Sequence, residues 1–558
     1  PLEINVLDTL TSGSEGESPA KMIVELSNTS SDTVRVDCGT SDITATAGFD
    51  YTSTSGTAEI YPGNLRDTVS ISISEDTDTE PNESFEVTLS NPENVLIGED
   101  TTFVFTILDN DGKGYHGPGG VADITEEINA WLDTEYPANQ HPNSTPIGDE
   151  NTIYEWKDNP RTDVDTLDAF QNTADNQPVW YTVSPNINNR PVIQFDGNND
   201  ELNIANNAEM NTVGIDRRFF MVAFKTGSDV SGNQVIFEEG GGTQGFNFYI
   251  EDDSLYMGGW DSEWPGNYIY NAKAIQPNTK YFAFFEFDFN GSSGYIKGNV
   301  NGEPLDSVSG TDDMDAHSGD ISFGYGDCDF KSGSSGPGYF GGQLAEFISG
   351  QIIINTTQRN IIANYLSAKY GITLSGSPDL YTHDNNYGYR VIGIGRESGS
   401  DNHYTAQGRD ILKISNPSDI DNNEYLFMGH NNGSIDSWST TNTPGDDVQR
   451  LNREWRVSIT GDPGTIKMEV DSASLPSLPT GFDDYALIID QDGDFTSGAT
   501  YHPLQENGNG YYSVYDIEPG DGDYVTVAAV RRSVEFETIS SSGDESEGAF
   551  SVNVAVNI

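Results

Sequence analysis

The chain has 558 residues and carries 89 acidic against 26 basic side chains, a formal net charge of −63. That balance excludes nucleic-acid binding, which needs a basic footprint, and direct insertion into or adhesion to anionic membranes. An aromatic share of 11% with many strand-like runs excludes a disordered acidic chain.

The length suggests about three or four domains. The stretch contains no initiator Met, signal peptide or apolar run long enough to span a bilayer. Its ending, "SVEFETISSSGDESEGAFSVNVAVNI", is patterned like its opening, "LEINVLDTLTSGSEGESPAKMIVELS". Both have an alternating stretch, a Ser/Gly/Glu-rich break and a second alternating stretch. The expectation is a tandem array of which this sequence is a piece. The many carboxylates have two uses: solubility in salty water, where screening tames self-repulsion, and calcium ligation.

Residues 1–111 read as seven short strands, near 2–8, 20–27, 33–38, 57–61, 67–74, 84–90 and 102–108. Period-2 runs such as "TVSISIS" and "SFEVTLS" and the strand count predict a β-sandwich. Cys38, on the alternating face of Val34 and Val36, is expected to be a buried free thiol. Cys328, the other cysteine, falls in a different domain.

In an up-and-down order of antiparallel strands, alternate loops emerge at the same end. The first-to-second loop holds Glu17, the third-to-fourth holds Asp50, and the fifth-to-sixth holds Glu75, Asp76 and Glu80. The last strand, expected to run parallel to the first, exits at that end into Asp109 and Asp111. Without cations such a tip suffers like-charge repulsion, and calcium takes six to eight oxygens from loops of this kind. The competing reading is an acidic tip with no metal.

The stretches "TATAGFDYTSTSGTAEIYPGN", "EDTDTEPNESFEVTLSNP" and "TILDND" together closely resemble the Calx-β domain over residues 1–111. The resemblance implies calcium ligation by Glu17, Asp50, Asp76, Glu80, Asp109 and Asp111. Glu75 stands where that family often has Asp. Residues 533–558 resemble the first strands of a further, truncated Calx-β copy.

Residues 112–375 begin with "DITEEINAWLD", where Asp123 and Glu126 are spaced as a capping box and predict a short helix. Aromatic-rich strands follow: "RFFMVAFKT", "GFNFYIEDD", "KYFAFFEFDF" and "GYIKGNVNGEPL". Near the end, an amphipathic helix is predicted, with Ile361, Ile362, Tyr365 and Leu366 on one face and Gly371 as its stop. "RPVIQFDGNNDEL", the "VNGE" hairpin and this helix-ended tail resemble the concanavalin A/laminin-G-like jelly-roll. Residues 376–532 are again strand-rich and predict a second β-sandwich. That segment is similar to the module that often follows such jelly-rolls in large surface proteins of Bacteroidetes-type bacteria. The expected fold class is all-β: tandem sandwiches, a jelly-roll among them, and a few short helices.

Three further motifs carry chemistry. Asp490, Asp492 and Asp494 alternate in "IIDQDGDFTSG", so one loop could bring them to a calcium ion or simply make a tight Asp-Gly turn. The spacing is not that of an EF-hand. In "MGGWDSEWPGNYIY", Trp260, Trp264 and Tyr268 could stack on sugar rings while Asp261 and Asn267 bond hydroxyls. The competing reading is ordinary loop packing. In "EFDFNG", Glu286 and Asp288 begin a Glu-x-Asp-x-x-Glu pattern known from some jelly-roll glycosidases, but Gly291 stands in the third place. A retaining glycosidase needs an acid and a nucleophile across the bond. No other catalytic constellation is visible, so no enzymatic activity is expected.

The sequence therefore predicts a calcium-binding extracellular array. It is expected to be part of a large bacterial surface adhesin whose jelly-roll meets a glycan or surface-protein ligand and whose neighbours are repeats of the same chain. The rivals are the carbohydrate-binding accessory region of a polysaccharide-active enzyme, and a structural spacer without ligand.

Overall fold

The computed structural model describes residues 2–7, 10–14, 19–74, 83–98, 100–108, 117–121, 128–135, 149–158, 167–241, 243–261, 264, 268–289, 291, 294–326, 338–375, 378–507, 510–535 and 555–557. It divides into two compact units, Pro1–Gly114 and Tyr115–Ile558. The protein is all-β apart from short helices.

The first unit is a sandwich of nine strands among the described residues: β1 (Glu3–Val6), β2 (Leu10–Ser14), β3 (Ala20–Leu26), β4 (Val34–Asp42), β5 (Ser55–Ile60), β6 (Arg66–Ile71), β7 (Glu83–Glu93), β8 (Leu96–Ile97) and β9 (Thr102–Leu108). One sheet has the order β6-β3-β1-β8 and the other β2-β9-β7-β4-β5. The predicted first strand, near 2–8, is β1 alone, and a further strand, β2, follows it in the other sheet. β1 pairs antiparallel with β3 (Ile4 opposite Leu26), and β2 parallel with β9 (Leu10 opposite Val104). Alternation delivers Ile4, Met22, Val24, Val36, Phe85, Phe103 and Phe105 to one core. Cys38 is buried with them as a free thiol.

The second unit begins with a jelly-roll of two sheets. One runs in the order 151–152, 179–184, 190–194, 343–350, 217–225, 280–289, 294–300 and 303–304. The other runs 155–156, 169–170, 202–204, 320–323, 234–240, 244–251, 254–261 and 268–274. Phe220, Phe237, Phe248, Phe285 and Phe347 fill the space between them. The predicted helix at "DITEEINAWLD" is corrected: Ile128–Asp133 is a strand paired with Gln343–Gly350. It is buried on both faces, so apolar residues do not alternate with polar ones and the segment does not read as a strand. Residues 122–127, with Asp123 and Glu126, lie outside the described residues.

The predicted helix α1 spans Thr356–Tyr370. Asn355 and Gln358 form a reciprocal capping box, and Gly371 ends the helix at φ 60°. It is buried all round rather than on one stripe, because it lies between two sheets. On one side it meets Phe219, Met221, Phe282 and Phe284 of the jelly-roll, and on the other Val391, Tyr425 and Phe427. Those last three residues belong to a second sandwich. Its larger sheet runs 401–403, 389–398, 424–430, 455–460, 524–530, 484–490 and 500–503, and its smaller sheet lies against the same core. Ser533–Glu535 pairs antiparallel with Ala555–Asn557. No helix among the described residues is long and apolar enough to cross a membrane.

Candidate functional site

The acidic tip of the first unit is framed by described backbone. In adjacent strands, Ser14 lies opposite Leu108 and Glu83 opposite Ile107. The chain therefore leaves β2 toward Glu17, enters β7 from Glu80 and leaves β9 toward Asp109 and Asp111 at one edge. The amide of Ser74 donates to the Asp50 carbonyl at 2.9 Å, so the exit toward Glu75 and Asp76 starts beside Asp50. Ile43, Thr44 and Ala45 all donate to the Ser84 carbonyl, tying the Asp50 loop to the start of β7. The strand parallel to β9 is β2, not the predicted first strand near 2–8, whose described part β1 lies in the other sheet. Glu17, Glu75, Asp76, Glu80, Asp109 and Asp111 themselves lie outside the described residues.

Asp50 is half-exposed, and its Oδ2 accepts from the Thr46 amide at 2.5 Å. Nearby, Asp42 Oδ1 accepts from the Ala47 amide at 3.0 Å and from the Tyr51 hydroxyl at 2.6 Å. One oxygen of each carboxylate is thereby fixed by the fold. Among the described residues, no three His, Cys, Asp or Glu side chains gather as a metal site would need.

Asp490, Asp492 and Asp494 do not converge. Asp490 Oδ1 accepts from the amides of Asp492 and Gly493, Asp492 Oδ1 accepts from the Asp494 amide, and Asp494 Oδ1 accepts from the amide and hydroxyl of Thr496. One oxygen of each carboxylate caps its own turn, the arrangement the tight-turn reading expects.

The aromatic loop is packed rather than open. Trp260 is 2% exposed and donates its indole N–H to the Gly241 carbonyl at 2.8 Å. It shares a cluster with Val235, Tyr249 and Tyr256, against which Tyr268 packs. The Tyr268 hydroxyl donates to Asn247 at 3.0 Å. Trp264 is on the opposite side, inside the core, stacked on Phe287 with ring centroids 5.7 Å apart. One sugar cannot touch both indoles. Asp261 is buried, and Asn267 lies outside the described residues.

Glu286 is fully buried beneath α1, with Lys297 at 2.5 Å, the Tyr295 hydroxyl donating at 3.1 Å and Arg359 at 3.6 Å. Asp288 pairs with Arg217 at 3.0 Å. Both carboxylates are engaged by neighbours of their own sheet and helix.

No local sequence pattern marks the buried charge network at the seam between the two sandwiches of the second unit. Lys369 Nζ contacts Asp133, Glu346 and the Tyr365 hydroxyl, each at 2.9 Å. Arg390 reaches Asp133 and Glu135 at 3.2 Å, and Arg190 reaches Glu135 at 2.9 Å. Burial alone would lower the Lys369 pKa, but Asp133 and Glu346 outweigh it and raise it. Burial alone would raise the Asp133 pKa, but Lys369, Arg390 and Arg409 hold it below the usual carboxylate range. Only the contact of remote strands assembles these groups, so no local motif marks them.

The fold defines a chain of β-sandwiches with an acidic loop tip on the first. Residues 2–111 match the Calx-beta domain family, and residues 358–522 match DUF8202, a domain of unknown function. No curated protein matches the chain. Among solved structures, the apo-form Calx CBD1 domain is 25% identical, covering 20% of this chain and 98% of that one, with a TM-score of 0.19. Domain 4 of AbnA, an extracellular arabinanase from Geobacillus stearothermophilus solved with arabinotriose, is 10% identical, covering 40% and 93%, with a TM-score of 0.26. A heptameric SAP-like pentraxin from Limulus polyphemus is 14% identical, covering 28% and 74%, with a TM-score of 0.21.

Proposed function

We propose that this chain is a non-enzymatic, extracellular region of a large surface adhesin, in which a calcium-binding sandwich precedes a jelly-roll that recognises a glycan or surface ligand. The convergence of the acidic-loop flanks at one edge of a domain matching Calx-beta carries the calcium part. Asp50, with one carboxylate oxygen fixed by Thr46, fits a preorganised oxygen donor; Glu17, Asp76, Glu80, Asp109 and Asp111 would complete the set. Bound calcium would neutralise the repulsion among these loops and tie their ends together. The pairing of Ser533–Glu535 with Ala555–Asn557, as β1 pairs with β3, supports a further sandwich starting there.

A ligand that binds only the folded domain stabilises it by mass action. The test is thiol labelling of Cys38 in the whole chain during thermal unfolding, in a Cys328→Ser background, with calcium and with chelator. A rise in the midpoint with calcium supports the reading. Identical midpoints would refute it.

A further inference from the structure

We propose that the jelly-roll holds an acidic saccharide in a polar cavity at the end of its 190–194, 217–225 and 343–350 strands. This rests on the reading of the jelly-roll as a ligand-recognising sandwich, and it moves the site away from the Trp260 loop. The cavity is about 710 Å³ and is lined by Gln194, Lys225, Ser228, Asn233, Asn278 and Gln343, with further loop residues. That volume is within the range of small-ligand pockets, roughly 300–1,000 Å³.

Strand register builds the site. Gln194 lies opposite Gln343, Gln343 opposite Lys225, and Lys225 opposite Lys280. Directly opposed residues share a face, so the four form one row. Their neighbours Ile193, Leu344, Phe224 and Tyr281 point into the core, so the row points outward. Glycines pack the loops at its rim: a Cβ on Gly227 would lie 1.9 Å from the Gly341 carbonyl oxygen. The rim is thereby held at a fixed spacing.

The row contains two lysines side by side, a repulsive pair. Lys280 is satisfied, donating to the Tyr370 carbonyl at 3.1 Å. The Lys225 side chain is half-buried and makes no ion pair or hydrogen bond among the described residues, and burial alone lowers its pKa. An unpaired cation is unexpected in a chain where acids outnumber bases 89 to 26. A ligand carboxylate beside Lys225 would supply the missing charge. The Gln194 amide donates to the Phe195 and Gly342 carbonyls and the Gln343 side-chain oxygen accepts from Ser184, which leaves the Gln194 oxygen, the Gln343 amide and the carboxamides of Asn233 and Asn278 to meet vicinal hydroxyls. Asp196 and Asp229 also reach the cavity: both Asp196 oxygens accept from Asn198, and one Asp229 oxygen accepts from the amide and hydroxyl of Ser231. Together these features select an oxygen-rich ligand with one negative group, a uronate-bearing oligosaccharide.

Calorimetric titration of the whole chain with oligogalacturonate, alginate oligomers, and neutral xylo- and manno-oligosaccharides tests this. At least one uronate oligomer should bind, at least tenfold more tightly than its neutral counterparts. Lys225→Met and Ser228→Trp should each weaken it at least tenfold with the melting temperature unchanged, since neither side chain has a hydrogen-bond partner among the described residues. Uronate binding unaltered in both variants, or neutral oligomers binding equally well, would overturn the proposed site while leaving a saccharide-binding jelly-roll standing. If only neutral sugars bind, the acidic ligand is wrong. If no sugar of either kind binds, both the site and the glycan reading fall.

Discussion

Lys369 and Asp133 are 236 residues apart in sequence and 2.9 Å apart in space, and neither side chain is more than 2% exposed. One comes from the end of α1 and the other from the strand beneath it, so the pair fixes how the helix sits on the jelly-roll. The second sandwich joins the same network through Arg390.

Removing one partner leaves a buried charge uncompensated, which costs about 3–5 kcal/mol. Lys369→Met should therefore destabilise the second unit by that order in denaturant titration, while Cys38 labelling reports an unchanged first unit. Lys369→Met combined with Asp133→Leu should recover part of the loss. A double variant worse than the sum of the single ones would contradict this account.

His430 should set part of the acid limit of the second unit. It is 1% exposed, and burial pushes its pKa down to about 4, outweighing Asp410 nearby, while Arg453, Arg390 and Arg190 push the same way. The unfolded imidazole titrates near its ordinary value of 6.5. Between pH 6.5 and 4 the unfolded chain thus binds a proton that the folded chain does not. Its contribution is full above that window and falls with decreasing pH by about 1.4 kcal/mol per unit. Melting curves from pH 7 to 4 should show the decline, and His430→Gln should flatten it.

Trp264→Ala should behave as a core truncation. The indole is 1% exposed between the sheets, and such a loss costs about 3–5 kcal/mol. A variant as stable as the parent would mean that the ring is not part of the core.

Cys38 should resist thiol reagents until its unit opens. Burial raises its pKa to about 11, so almost no thiolate exists at neutral pH. In the Cys328→Ser background, the labelling rate should follow unfolding rather than reagent concentration. Rapid labelling under native conditions would place the thiol at the surface.

The first sandwich was legible because one face of each strand is buried and the other wet, so alternation survives in "VRVDC" and "SFEVTLS". Its sheet switch was less so: the break between β1 and β2 carries no turn signal beyond ordinary polar residues. In the second unit the signal fails where elements are covered on both sides. Ile128–Asp133 and α1 are both enclosed, so periodicity no longer reports their exposed face. Trp260 and Trp264 show the same limit from another direction. Four residues apart, they read as a single aromatic surface, but Trp260, at the end of a strand, packs with Val235, Tyr249 and Tyr256 while Trp264 packs in the core between the sheets. Asp490, Asp492 and Asp494 have the spacing for an ion, yet one oxygen of each accepts from the amide two residues on.

The change of sheet between β1 and β2 also governs how the N-terminal domain bears load. Because β2 runs parallel to β9, tension applied between the domain's two ends pulls these neighbours in opposite directions along their length. The hydrogen bonds from Leu10 to Ser14 lie across that pull and must give way together, rather than peel apart one at a time. A domain wired in this way withstands a steady tug far better than one whose terminal strands form a hairpin.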